Sequence, residues 1–281
     1  MPSMGFVRFV GFEIEQHVFL RKRWLSPLPI MLFIAYVVIG AVLVRSSNFS
    51  LSGNTWDALF SVFGNSNIIF FVITPLFLYL VSDLMVEAAL DEAILLRLGS
   101  RRLWWLGKTL TLGLAVLGYA VITVGIIGAV SSFVLPWQSA WSEAASQFPL
   151  EFYVTPAVLA LSPASAFGQL LLLLVLGWFC LGLLVMVVTQ FSHHHAWGFV
   201  VGVLVLFSGL GALKASVRRP YSYLFIHEHL LFNPHYFRDG PLAPLPVIAS
   251  VFYWIGWIAV LLALGYRLGL RQDFFPQEHR V

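Results

Sequence analysis

Residues 167–190 read "FGQLLLLLVLGWFCLGLLVMVVTQ", 24 positions without one Asp, Glu, Lys or Arg. A hydrocarbon core of about 30 Å is crossed by about 20 mostly apolar residues wound as a helix. Such a run needs apolar surroundings on every side, and a bilayer supplies them while the helix satisfies its own backbone. Five more stretches qualify, at about 27–44, 66–82, 109–134, 196–213 and 246–266. The 66–82 stretch extends backwards through "WDALFSVFGN", read as an apolar helix entering from the surface. The fourth and fifth are separated by "FSHHHA", which predicts a tight antiparallel hairpin.

Only 10% of the 281 residues are charged, well under the ~25% of soluble domains. The chain therefore reads as an all-α integral membrane protein of six transmembrane helices, one domain over 1–281 without internal repeat or linker. Its basic residues sit at span boundaries, so no nucleic-acid partner is expected. One cysteine, Cys180, excludes an intrachain disulfide and a cysteine zinc site.

Orientation follows from Lys and Arg. With both termini inside, the inner segments hold Arg8, Arg21, Lys22, Arg23, Arg97, Arg101, Arg102, Lys108, Arg267, Arg271 and Arg280. The outer segments hold Arg45, Lys214, Arg218, Arg219 and Arg238. Eleven against five predicts cytoplasmic termini. "RKRW" before the first span resembles a signal-peptide n-region. The apolar run after it is long and lacks a clear cleavage site, so it is read as a retained helix. Residues 1–26 form an interfacial helix: Phe6, Val7, Val10, Ile14 and Val18 share one face, and Arg8, Glu15 and Lys22 another. Such a helix lies in the membrane plane.

Gly107-Lys108-Thr109 ends like a P-loop. That loop needs Gly-x-x-x-x-Gly-Lys-Ser/Thr, because the first glycine lets the amides curl round phosphate. Here its place is taken by Arg102, and no strand precedes it. No nucleotide or other cofactor is assigned to this chain. Arg101, Arg102 and Lys108 are expected to hold the third span's inner end at the headgroups, with Trp104 and Trp105 in the interfacial belt.

Residues 83–102 lie between spans two and three. Asp83, Glu87 and Asp91 recur every four residues, an acidic stripe on a short cytosolic helix. Met85, Ala89, Ala93 and Leu96 make its apolar face, and Gly99 its C-terminal cap. The stripe admits two readings, a solvated helix on the headgroups or a docking helix for a cytosolic partner. "DEAILLRLGSRRLWWLGKTL" resembles the cytosolic loop of type-2 ABC-transporter permeases. The resemblance implies six spans with both termini inside, an amphipathic N-terminal helix and a coupling helix after span two. It also implies an exporter permease of a bacterial cytoplasmic (inner) membrane, working with a second copy or paralogue and a cytosolic ABC ATPase. ATP and Mg would belong to that partner subunit. Asp83, Glu87, Asp91, Glu92, Arg97, Arg101 and Arg102 would then face the ATPase. The family's frequent Gly-Thr plus proline pattern is absent from this loop, which leaves subfamily and cargo open.

The spans themselves carry no ionisable residue near their centres; the polar ones there are Thr74, Thr123 and the terminal Gln169 and Gln190. Ion-coupled transport usually relies on such groups, so driving energy is expected from outside the membrane. Gly198 and Gly202 offer a close helix contact, within the chain or with another copy. Pro75 can kink span two.

His193–His195 on a helix would point about 100° apart and not converge on one ion, so a polar turn is expected. "HEH" at His227–His229 resembles a zinc-protease motif, but the position that should hold its second histidine is Leu231. His235 could join His227 and His229 in a metal site, and no metal site is assigned. The outer segments, 135–166 and 214–245, are aromatic-rich. Trp137, Trp141, Phe152, Tyr153, Tyr221, Tyr223 and Phe225 could present a surface to an amphipathic or hydrophobic peptide, drug or lipid, or serve as interfacial anchors. "YSYLFIHEHLLF" is expected to rest on the outer surface; the resembled family has a short re-entrant element there. Rival classes are an intramembrane enzyme using the outer histidines and a non-transporting membrane partner or immunity protein.

Overall fold

The computed structural model describes residues 5–19, 21–85, 98–214, 221–236 and 245–271, and every regular element among them is helical. The principal helices are α1 (Phe6–Ile14), α2 (Pro27–Phe49), α3 (Thr55–Phe63), α4 (Ser66–Val81), α5 (Arg101–Ser132), α6 (Glu143–Gln147), α7 (Pro163–Ser192), α8 (His195–Lys214), α9 (Ile226–Leu230) and α10 (Val247–Arg271). Five, α2, α5, α7, α8 and α10, are long and apolar enough to cross a membrane. α3 and α4 together pass the same test as a pair bent by 56°.

Local chemistry sets the boundaries. Pro27 and Pro163 open α2 and α7 at positions whose N–H would have no helical acceptor. Asn54 closes a reciprocal capping box with Asp57 at the start of α3, satisfying two donors of the first turn. The bend falls at Gly64–Asn65, where Asn65 starts a new helix by accepting from the Asn67 N–H. The sequence allowed a kink at Pro75, and the irregularity lies just before it: a π-helical turn, Ile69–Ile73, precedes that proline. The hydroxyl of Tyr119 donates to the Ile73 carbonyl at 2.7 Å, and the Trp178 indole donates to Thr74 Oγ1 at 3.1 Å. Irregular backbone at this depth is tolerated because side chains occupy the freed groups.

α7 is the central helix, packed on α4, α5, α8, α9 and α10. α7 ends at Ser192 and α8 begins at His195, the tight hairpin expected, with His193 left-handed at φ 54°. Gly198 and Gly202 both pack on α7: a methyl at Gly198 would lie 2.6 Å from the Val185 carbonyl, and one at Gly202 2.8 Å from a Val185 methyl. The small-residue pair thus serves a contact within the chain. Outward faces are apolar, as with Phe33 on α2 and Phe252 on α10, the surface a lipid environment accepts.

Candidate functional site

The end of the bundle that carries α1 holds a buried charge cluster. α1 packs through part of the predicted stripe, with Val10 buried and Phe6 and Val18 against the core, but Val7 is 82% exposed and Phe9, Glu13 and His17 also face the bundle. Phe9, Glu13 and His17 are spaced by four, so they share one helical face. That face lies on α5, where Gly107 leaves room for the Phe9 ring. Beside this contact Lys108 Nζ meets Glu13 Oε2 at 2.8 Å, with both side chains at most 2% exposed. Lys108 is therefore not at the headgroups. Its apolar stem and its ammonium are both enclosed, and a buried ammonium needs a carboxylate.

The cluster extends to the C-terminal end of α4. His17 Nε2 lies 3.5 Å from Glu13, and His17 Nδ1 lies 3.9 Å from Asp83. Asp83 also meets Arg23, and Arg21 at 3.8 Å. Arg23 donates to the carbonyls of Tyr79 and Leu80, the groups that a helix end leaves without intrahelical donors. A cation there also suits the negative end of the helix dipole. Asp83, placed by sequence on an outward stripe, is turned inward. Glu87, Asp91, Glu92 and Arg97, with the apolar positions Ala89, Ala93 and Leu96, lie outside the described residues. Arg101 donates to the Leu270 carbonyl of α10, and Arg102 is exposed. Gly99 has the left-handed φ of 65° that a C-terminal cap requires.

Trp104 and Trp105, expected in the interfacial belt, are 1% and 2% exposed. Trp105 packs where Gly265 of α10 has no side chain, so a gap on a distant helix draws the indole inward.

The opposite end is organised by 135–161. Asn54 donates to Gln138 and Ala140, and the Trp56 indole donates to the Gln138 carbonyl at 2.8 Å. Trp141 donates to the Leu161 carbonyl, and Phe152 is fully buried. Tyr153 is left-handed at φ 58° and sits 5.8 Å from the Arg45 guanidinium. Trp137 and Tyr221 are exposed; Tyr223 and Phe225 are half-buried. Phe152 is thus core, and the expected aromatic surface shrinks to a few side chains.

Only the first part of "YSYLFIHEHLLF" lies at the surface, with Tyr221 and Leu224 exposed. Residues 226–232 are all buried, with α9 set against α7, α8 and α10. His229 Nε2 lies 2.8 Å from the Tyr223 carbonyl and Nδ1 2.7 Å from Ser250 Oγ, so Nε2 carries the proton given to the carbonyl. Both nitrogens are engaged, which leaves neither for a metal. Nowhere among the described residues do three His, Cys, Asp or Glu converge as a metal site. Burial pushes the His229 imidazole down to about 4; the Tyr223 carbonyl and Glu228 oppose this, and His235 and His227 add to it. The neutral ring is bound by the fold, so the unfolded state takes up a proton first as pH falls through about 6.5. Stability is expected whole above that pH and to drain away between about 6.5 and about 4. A thermal melt in detergent checks this. His229→Gln keeps a donor for Tyr223 and should make the decline over that window at most half as steep.

Neither a family model nor a curated protein sequence matches this chain.

Sequence inspection missed Glu13 and His17. The available signal was the four-residue spacing of Phe9, Glu13 and His17, together with a lone Lys108 in an otherwise apolar run.

Proposed function

We propose that the chain is the membrane-spanning permease subunit of an ATP-driven ABC exporter. α3 and α4 form one bent span, giving six, with both termini in the cytoplasm of a cell whose inner membrane holds the protein. A second copy or paralogue completes the pathway, and a separate ATPase subunit carries ATP and Mg. The cargo is amphipathic or hydrophobic.

The observation that supports this reading is the buried cluster. Asp83, at the end of α4, is tied to Arg21 and Arg23, and Lys108, on α5, is tied to Glu13. A force on the segment between α4 and α5 would reach the 21–23 segment through Asp83, and α1 through the enclosed Glu13–Lys108 pair. A soluble motor seated on this loop can therefore move several helices together.

The test is purification of the tagged chain from native membranes with assay of associated ATP hydrolysis. Wild type should bring down a P-loop ATPase whose activity the complex retains. Glu87→Lys with Asp91→Lys should cut its yield at least tenfold while membrane insertion is unchanged. An unchanged yield removes the docking role, and absence of any ATPase removes the permease reading.

A further inference from the structure

A cavity of about 310 Å³ lies between α7, α8 and α10, beside residues 224–226. Leu181 and Leu184 wall it from α7, Val205 from α8, and Trp254 and Trp257 from α10, with Phe225 at one end. No charged side chain lines it. Two of the few polar groups in the wall already have partners: Ser208 donates to the Val205 carbonyl at 2.7 Å, and the Trp254 indole donates to the His229 carbonyl at 3.1 Å. Tyr253 has its ring stacked on His229, centroids 3.7 Å apart.

The rim is exposed and apolar. Trp257 is 48% and Leu224 75% exposed, with Leu204 and Ile255 on the outward faces of the same two helices. α8 and α10 are membrane-spanning by length and composition, so the surface round this mouth meets lipid tails. An occupant reaches the cavity sideways, from hydrocarbon.

We propose that this cavity holds one acyl chain of a bilayer phospholipid, lying against Trp254 and Trp257 with its distal carbons at Leu181. An apolar cavity of about 150 Å³ takes up benzene. Twice that space holds about a dozen carbons by the same scale, a chain segment and not a headgroup. A peptide would bring a run of amides into a wall that offers few donors or acceptors, and most of them would lose their hydrogen bonds. The proposal concerns this chain alone and stands or falls independently of the permease reading.

The purified chain, without any ATPase, is reconstituted in vesicles containing phosphatidylcholine with a diazirine midway along one acyl chain. After illumination, adducts are mapped by mass spectrometry. Leu181 and Trp254, 2% and 1% exposed, are out of reach of lipid that merely surrounds the protein. Adducts at either, alongside those at the outward-facing Leu117, are the expected result. Leu184→Trp, and separately Val205→Phe, should lower them at least tenfold and leave Leu117 labelling unchanged. Excess hexadecane added to the wild type should do the same, a control that needs no refolded variant. Labelling confined to Leu117 overturns the proposal, and so does labelling of Leu181 that neither variant nor hexadecane reduces.

Discussion

Lys108→Met is expected to destabilise the protein by about 3–5 kcal/mol, the usual effect of removing one partner from a buried ion pair. Adding Glu13→Leu to the same chain should recover most of that loss. The asymmetry follows from desolvation. Glu13 and Lys108 are at most 2% exposed and 2.8 Å apart, so each carboxylate or ammonium has given up its water for the other and for neighbours such as His17. Removing the cation leaves a buried carboxylate without its principal counter-charge. Removing both leaves methylenes facing methylenes, which is often neutral or better. Denaturation of the two single variants and the double variant gives the coupling energy directly. If the single changes add without coupling, the pair is not formed and the cluster loses its role as a rigid link.

The same pair shows what the sequence could and could not reveal. The apolar helices were legible because hydropathy is a local property: α2, α5, α7, α8 and α10 each cover most or all of a predicted stretch, and the "FSHHHA" turn is where the chain reverses. The left-handed φ of Gly99 was legible too, because it depends on the residue's own type. Trp104 and Trp105 were not. A tryptophan beside arginines reads as an interfacial anchor, and only Gly265, some 160 positions away in sequence, makes room for Trp105 in the core. Lys108 was misplaced for the same reason, since its partner Glu13 lies on another helix. Residues 226–232 carry two histidines and a glutamate, which argues for a surface. They are buried because Tyr223, Ser250 and the helices around them supply hydrogen bonds that no local pattern announces. Each of these misreadings concerns a polar or amphipathic residue whose partner is remote in the chain.

Gly107→Val should detach α1 from α5. A side chain at this position overlaps the Phe9 ring, which is fully buried. Phe9 has no alternative site, because Val10 and Glu13 fix the rotation of α1 on the same face. The ring must leave or the helix must lift. Overpacking of this kind costs about 1–3 kcal/mol; ejecting the ring forfeits burial worth a similar amount. Lifting α1 also separates Glu13 from Lys108, so the effect exceeds that of a simple steric clash. Trypsin reports it, since Arg8 and Arg21 flank the docked face: cleavage there should accelerate at least tenfold, the ratio that corresponds to about 1.4 kcal/mol. Phe9→Ala in the Gly107→Val background supplies the decisive comparison. With the ring gone the valine has space, and the double variant should be more stable than the sum of the two single losses. A sum without rescue would mean that Phe9 does not occupy the hollow at Gly107, and that α1 is held to the bundle by its charges alone.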